Sequence, residues 1–145
     1  MRTFLAIVLC KLGRFAGKLV GKGSSLPGKL ALKVCPDILS RVRLPAHIIA
    51  VTGSNGKTST VEMIAAILRA DGKNVIYNQE GSNQIEGVTT LILTHATLRG
   101  RVRADVLLLE SDERYARYSF RYFHPTEFVI TNLYRDQLTR NGHPE

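Results

Sequence analysis

A short glycine-rich segment containing a lysine and a threonine carries the clearest chemical signal in the sequence. Residues 53–58 read Gly-Ser-Asn-Gly-Lys-Thr, between an apolar, β-branched run at 47–52 and an amphipathic pattern at 57–70. Glycines let backbone N–H groups turn towards phosphate oxygens, and the start of a helix adds partial positive charge. The segment therefore predicts a phosphate-binding loop of the form G-x-x-G-K-T, which is shorter than the common G-x-x-x-x-G-K-[ST] pattern.

The residue types in this loop predict separate roles. Lys57 is expected to reach the β- and γ-phosphates of a nucleotide, and the Thr58 hydroxyl is expected to hold a bridging Mg²⁺. The other members of the predicted phosphate-binding set are Gly53, Ser54, Asn55, Gly56 and Ser59. The alternative interpretation is a glycine-rich turn with an incidental lysine.

Polar residues also follow two other predicted strands. Glu110 ends the apolar run 104–109, and Asp136 and Gln137 lie beyond the run 127–131. Ligands of open α/β sheets gather outside the carboxyl ends of the strands. Glu110 is therefore predicted to bind Mg²⁺ directly or through water, with Asp136 and Gln137 as further oxygen ligands. The alternatives are an acid favoured by a helix dipole for Glu110 and a helix cap for Asp136.

Asn83 and the histidines are the remaining polar candidates. The Asn83 amide lies in a polar loop at 81–87, where it could bind phosphate or metal, or cap the next helix. None of the histidines stands at catalytic spacing from a cysteine or serine, so structural roles are expected for His47, His95, His124 and His143. The two cysteines, Cys10 and Cys35, predict neither a metal site nor a disulfide scaffold, which favours a reducing compartment.

Alternating strand and helix patterns predict the fold class. Strands are expected at 47–52, 74–77, 104–109 and 127–131, and helices at 57–70, 88–97 and 113–123. This alternation indicates an α/β fold with a parallel sheet. Three or four strands are few for a doubly wound sheet, so we expect an incomplete sheet that further chain would extend.

The charge distribution predicts two regions. The sequence has 145 residues and a net charge of +8, with nine basic side chains and one acid in residues 1–45 and 11 of each sign in 46–145. A basic N-terminal extension at 1–45 and a main domain at 46–145 are therefore expected. Because the main domain is neutral, the high isoelectric point does not indicate nucleic-acid binding.

The extension has a helical apolar pattern. Its stripe comprises Phe4, Ile7, Val8, Leu12, Phe15 and Leu19, with basic residues around it. This favours an amphipathic helix that docks on protein or on a membrane surface, rather than a cleaved signal peptide. A breaker cluster at 21–28, a short helix at 29–34 and a linker at 41–45 are expected to follow.

Three motifs together resemble the Mur ligases, a family of ATP-dependent ligases that form amide bonds. They are V-T-G-S-N-G-K-T-S-T at 51–60, E-S-D-E at 110–113 and T-N-L-Y-R-D-Q-L-T-R-N-G at 131–142. Three other segments are similar to the MurT branch of that family: G-K-G-S-S-L-P-G-K-L-A-L at 21–32, E-G-S-N at 80–83 and R-D-Q-L at 135–138. Gln137 replaces a histidine usual in other Mur ligases, and Thr139 replaces an aspartate.

The resemblance implies a P-loop ATPase domain that uses ATP and Mg²⁺. The implied reaction is amidation of the D-glutamate α-carboxylate of lipid II to D-isoglutamine through an acyl phosphate. A glutaminase subunit would supply ammonia, and the enzyme would be cytoplasmic and peripheral at the inner face of the membrane.

The adenine-binding segment, a zinc site and a C-terminal domain are expected beyond Glu145, so the 145 residues alone are not expected to catalyse. Another Mur-type ligase (a folylpolyglutamate synthase or a muramyl-peptide ligase) and a non-catalytic, membrane-associated nucleotide-binding module are the alternatives.

Overall fold

A computed structural model describes residues 1–19, 25–78, 84–112 and 118–132. Within these residues the chain forms five α-helices and four β-strands. The helices are α1 (Arg2–Leu19), α2 (Leu26–Val34), α3 (Ile38–Arg41), α4 (Lys57–Ala70) and α5 (Ile85–His95). The strands are β1 (His47–Thr52), β2 (Val75–Tyr77), β3 (Val106–Glu110) and β4 (Glu127–Ile130).

The four strands form one parallel sheet in the order β2-β3-β1-β4. Val51 of β1 lies beside Glu110 of β3, and Thr52 lies beside Ile130 of β4. The carboxyl ends of these three strands therefore meet at one edge, where the chain also turns from β1 into α4. The predicted α/β class with a parallel sheet is confirmed.

Alternate residues of the strands point to opposite faces of the sheet. Val106 and Leu108 of β3 pack with Val61 and Ala65 of α4 in the smaller apolar cluster. Leu107 and Leu109 belong to the larger cluster on the other face, which includes buried residues of α1, α2 and α5. The sheet is thus covered on both faces at β2 and β3, as their continuous apolar sequences require, whereas the edge strand β4 is largely exposed.

Helix α2 approaches α5 closely at Gly28. The Gly28 N–H donates a hydrogen bond to Thr90 Oγ1 at 2.8 Å, and a Cβ at this position would lie 1.9 Å from the Glu86 carbonyl oxygen. Helix α1 packs on the same pair and buries Ala6 and Cys10. Residues 1–45 thus share an apolar cluster with the sheet, while the division between residues 45 and 46 stays a prediction.

Several predicted boundaries differ from the structure. Strand β1 and helix α4 have the predicted bounds, but α5 begins at Ile85 and α2 begins at Leu26, three residues early in both cases. The interpretation of Leu26–Gly28 as part of a breaker cluster was wrong. Pro27 is accommodated in the first turn of α2, where the N–H that proline lacks has no helical acceptor.

The predicted linker at 41–45 is partly ordered by backbone pairing. Arg43 N donates to the Gly100 carbonyl at 2.7 Å, and Val102 N donates to the Arg43 carbonyl at 2.9 Å. These bonds fix the chain before β1 to the turn after α5. Among the residues described, no helix has both the length and the apolar character that crossing a bilayer demands.

Candidate functional site

The loop between β1 and α4 adopts a conformation that needs glycine at both ends. Gly53 has φ +131° and Gly56 has φ +80°, a region that other residues rarely occupy. A Cβ at Gly53 would lie 2.2 Å from Thr131 Oγ1, whereas a Cβ at Gly56 would meet no atom within 4 Å. At position 53, glycine is therefore required by the backbone conformation and by the lack of space for a side chain. At position 56, it is required by the backbone conformation alone.

Two side chains that follow β4 hold this loop in place. Asn132 Oδ1 accepts hydrogen bonds from the N–H groups of Ser54 at 3.1 Å and Asn55 at 3.2 Å, and Asn132 Nδ2 donates to the Asn55 carbonyl at 2.9 Å. The Thr131 hydroxyl donates to the same carbonyl at 2.7 Å. The pairing of Thr52 with Ile130 brings these residues beside the loop, so β4 determines the conformation of a segment about 77 residues earlier.

The hydrogen bonds to Asn132 determine which backbone N–H groups of the loop can bind an anion. The N–H groups of Ser54 and Asn55 point to the Asn132 amide and not into the loop. Thr60 N makes the first helical bond, to the Gly56 carbonyl at 2.9 Å, so the N–H groups of 57–59 precede the helical ladder of α4. No side chain caps this helix at Gly56. The first turn of α4 therefore presents backbone N–H donors and partial positive charge, which suit an anion.

The Lys57 ammonium folds back over the loop. Its Nζ donates to the Gly53 carbonyl at 2.5 Å and lies 3.4 Å from the Ser54 carbonyl. These carbonyls hold the cation at the mouth of the turn, beside the first N–H groups of α4. A flexible four-carbon stem lets the ammonium exchange carbonyl oxygens for phosphate oxygens without a change in the backbone.

A hydroxyl and a carboxylate meet at the same edge of the sheet. Thr58 Oγ1 donates to Glu110 Oε2 at 2.8 Å, joining the first turn of α4 to the end of β3. Both are hard oxygen ligands of the kind that Mg²⁺ prefers, and Mg²⁺ bound with a nucleotide commonly uses one or two protein groups, phosphates and water. Searching the described ranges finds no cluster of three or more His, Cys, Asp or Glu residues suited to a metal. The Thr58 hydroxyl and the Glu110 carboxylate thus fit a Mg²⁺ that is also held by phosphates.

Comparison with known proteins shows the family of the chain. The model of the Mur ligase middle domain matches residues 51–143, which include the loop, Glu110 and Asn132. The chain belongs to the Mur ligase family. It is 36% identical over 142 residues to the MurT subunit of the glutamine-hydrolysing lipid II isoglutaminyl synthase of Streptococcus pneumoniae, covering 98% of this chain and 31% of that protein.

A second MurT subunit matches the chain to the same extent, and another Mur ligase matches a shorter stretch. The corresponding MurT subunit of Staphylococcus aureus is 36% identical over 144 residues, 98% of this chain and 32% of that protein. The UDP-N-acetylmuramate–L-alanine ligase of Bifidobacterium longum is 35% identical over 106 residues, 73% of this chain and 19% of that protein. The chain spans about a third of the length of the MurT subunits that it matches.

The structure describes only some of the predicted Mur ligase site residues. It brings together the loop Gly53–Ser59 and Glu110, with Lys57 and Thr58 at their centre. Asn83, Asp136 and Gln137 lie outside the described residues. Their predicted roles as phosphate or metal ligands stay predictions.

Sequence reasoning missed the contribution of Thr131 and Asn132. Thr131 is the last residue of the predicted strand 127–131, and Asn132 begins the polar segment in which the sequence places the ligands at Asp136 and Gln137. The available signal was their position directly after β4, at the edge where the phosphate loop of this Mur ligase was already expected. Thr131 and Asn132 contact the loop because β4 pairs with β1, and the sequence alone does not reveal that pairing.

Histidine and cysteine side chains of the described ranges lie away from this edge. His47 Nδ1 lies 3.3 Å from Glu127 Oε1 at the opposite ends of β1 and β4. Hydrogen bonds from Thr126 and then from His47 lower the pKa of Glu127. Cys10 is fully buried in α1, and burial raises the pKa of its thiol to about 12. The His47–Glu127 pair is exposed at the surface, and Cys10 belongs to the packing of the domain.

Proposed function

We propose that this chain supplies the phosphate and Mg²⁺ site of an ATP-dependent ligase that acts in peptidoglycan synthesis. The observation that carries this proposal is the convergence of the Lys57 ammonium, the first N–H groups of α4 and the Thr58–Glu110 pair at one edge of the sheet. Cationic, hydrogen-bonding and metal-ligating groups together are what phosphoryl transfer requires.

The proposed chemistry activates a carboxylate. A carboxylate is a poor electrophile, and ATP supplies a γ-phosphoryl group that converts it to an acyl phosphate. The N–H groups at the start of α4 orient the phosphates, and Lys57 neutralises charge on the γ-phosphoryl oxygens. Thr58 and Glu110 would hold Mg²⁺ against the same phosphates, with Asn83, Asp136 and Gln137 as further candidates.

We propose the D-glutamate α-carboxylate of lipid II as the acceptor and ammonia as the nucleophile. Ammonia forms the new C–N bond, the C–O bond to phosphate breaks, and inorganic phosphate leaves. This choice is supported by the extent of the likeness: the family model begins at residue 51, but the MurT subunits match 98% of the chain, including nearly all of the first fifty residues. A glutaminase subunit as ammonia source, and a cytoplasmic site at the inner membrane face, belong to the same proposal.

An amino-acid-adding Mur ligase is the second candidate, favoured by the likeness to the alanine ligase over 73% of the chain. The two candidates share activation of a carboxylate and differ in the nucleophile. The two candidates can be distinguished by adding either ammonia or an amino acid to the ATP-loaded full-length enzyme. Only the nucleophile that the enzyme uses should cause release of phosphate.

The nucleotide site can be tested by titrating the chain with Mg²⁺–ATP and following binding by calorimetry. Lys57→Met should weaken binding by about tenfold or more, since a phosphate contact by an ammonium is worth about 1.4 kcal/mol or more. The matched control is Lys73→Met, because Lys73 is an exposed lysine after α4 that pairs only loosely with Asp71, at 3.9 Å. Equal binding by the wild type and Lys57→Met would contradict the proposal.

A further inference from the structure

The side of α1 that faces away from the domain is apolar. Phe4, Leu5, Leu12 and Phe15 are 52%, 49%, 61% and 68% exposed. With the half-buried Val8 they form one stripe along the helix, at the spacing of about four residues that aligns side chains on one face. The opposite face of α1 holds the buried Ala6, Ile7 and Cys10.

The helix therefore has two apolar faces, and only one of them packs on α2 and α5. The predicted single stripe was wrong in this respect, since Ile7 is buried and Phe4, Leu12 and Phe15 are exposed. The two exposed phenylalanines in this stripe neither pack in the core nor favour solubility. A contiguous apolar surface of this kind is typical of a site that contacts a partner or a membrane.

Basic groups border this stripe. No Asp or Glu precedes Asp37 in the sequence, and Lys11 lies on the flank of α1, where its Nζ donates to the Thr94 carbonyl at 2.7 Å. The turn 99–103 adds three arginines that line a surface hollow together with Lys11. A Cβ built at Gly100 would lie 3.9 Å from Thr3 Cγ2, so this turn lies beside the beginning of α1.

We propose that α1 docks lengthwise on an anionic lipid bilayer, with its exposed stripe among the upper acyl chains and the neighbouring lysine and arginines against lipid phosphates. Helices that lie in the membrane interface combine an apolar face with basic flanks in this way. No described helix can cross a bilayer, so the contact is interfacial. A protein groove would accept the apolar stripe, but the border is basic in sum: Lys11 and three arginines line the hollow together with one acid, Asp105. This excess of positive charge favours the negative charge of a membrane surface. The surface is separate from the phosphate loop, so this inference does not rest on the nucleotide chemistry.

Tryptophan fluorescence tests insertion directly, because the chain contains no tryptophan. Phe15→Trp places the probe in the stripe, and Ile67→Trp on α4 is the matched control because Phe15 and Ile67 are both 68% exposed. Vesicles of phosphatidylglycerol mixed with phosphatidylcholine should shift the emission of Phe15→Trp to shorter wavelength and leave Ile67→Trp unchanged. Vesicles of phosphatidylcholine alone should bind about tenfold less tightly.

Vesicle co-sedimentation of the full chain measures how much the apolar stripe and the arginines each contribute to membrane binding. Phe4→Ser with Phe15→Ser should reduce binding about tenfold, whereas Met63→Ser with Ile67→Ser, an exposed apolar pair on α4, should not. Arg99→Gln with Arg101→Gln should remove most of the preference for phosphatidylglycerol. Thermal unfolding of each variant confirms that it is folded, and ATP binding should be unchanged in all of them.

Three results would overturn the proposal. One is an emission of Phe15→Trp that no vesicle changes. Another is equal binding of the Phe4/Phe15 and Met63/Ile67 serine variants to anionic vesicles. The third is a dimer in solution, detected by light scattering, that the Phe4/Phe15 variant disperses, because a second copy would then cover the stripe.

Discussion

Two glycines in this protein lie where segments distant in the sequence approach each other closely, and they serve different purposes. A Cβ at Gly28 would lie 1.9 Å from the Glu86 carbonyl oxygen, where α2 packs on α5. A Cβ at Gly53 would lie 2.2 Å from Thr131 Oγ1, where the phosphate loop meets the end of β4. The first approach lies in the apolar packing of three helices, and the second lies in a half-exposed network of hydrogen bonds. The same residue type thus permits close helix packing in one region and the conformation of the proposed binding loop in the other.

Gly28→Ala should have the largest effect on stability. The helices must separate because the obstacle is a backbone carbonyl, so the free energy of unfolding should fall by about 3 kcal/mol. Urea unfolding followed by circular dichroism measures this loss. Gly72→Ala is the control: it has φ +77° but no atom within 4 Å, and it should cost only about 1 kcal/mol. Equal losses would show that the helices do not pack this closely.

Gly53→Ala should affect ATP affinity more than stability, in contrast to Gly28→Ala. The strained φ and the clash with Thr131 should lower stability by about 1–3 kcal/mol, less than Gly28→Ala does. Binding of Mg²⁺–ATP should nevertheless weaken by about tenfold or more, because the loop must move away from β4. Calorimetry at a temperature where the variant is folded measures the affinity. Unchanged affinity would mean that the loop conformation is not the one that binds phosphate.

Asn132→Ala should have a smaller effect in the same direction. It removes the acceptor for Ser54 N and Asn55 N, so stability should fall by about 1–2 kcal/mol and ATP affinity by several-fold, in the range of about three to ten. Asn74→Ala at the opposite edge is the matched control, because Asn74 Nδ2 donates to the Arg103 carbonyl at 3.0 Å. Both variants should lose stability, but only Asn132→Ala should lose affinity.

The buried thiol of Cys10 should have no effect on stability near neutral pH, and its effect should appear only above pH 9. Burial raises its pKa from 9.0 to about 12, so above pH 9 the unfolded chain releases a proton that the folded chain retains. The stability contributed by the buried neutral thiol is complete below pH 9 and is lost as pH rises from 9 towards 12, by at most about 1.4 kcal/mol per pH unit. Urea unfolding at several pH values should show a steeper decline for the wild type than for Cys10→Ala. Parallel profiles would contradict the assignment to Cys10.

The part of the site that is local in sequence was predictable. An apolar strand, two glycines, Lys-Thr and an amphipathic helix occur in order, so 47–70 could be assigned from pattern alone. Glu110 was predictable for a related reason, since a carboxylate at the end of an apolar strand must lie at the edge where parallel strands end.

The parts that depend on strand order and helix packing were not predictable. Asn132 reaches the loop only because β4 pairs with β1, and the sequence pattern of β4 carries no information about its neighbour. Helix α1 has apolar side chains on two faces, so its periodicity could not show which face is covered. The packing role of Gly28 was not predictable because its proximity to the Glu86 carbonyl arises only when the helices pack. From the sequence alone, Gly28 is interpreted as a helix breaker.

The bonds from Asn132 to the loop also have a consequence for the order of events during synthesis. The turn at 53–56 leaves the ribosome long before the asparagine that sets its shape, and β4 must add to the sheet before those bonds can form. Nascent chains that end before residue 132 therefore lack the finished turn, whatever the state of their helices. We therefore expect the proposed nucleotide binding to appear only in nascent chains long enough for β4 to have joined the sheet.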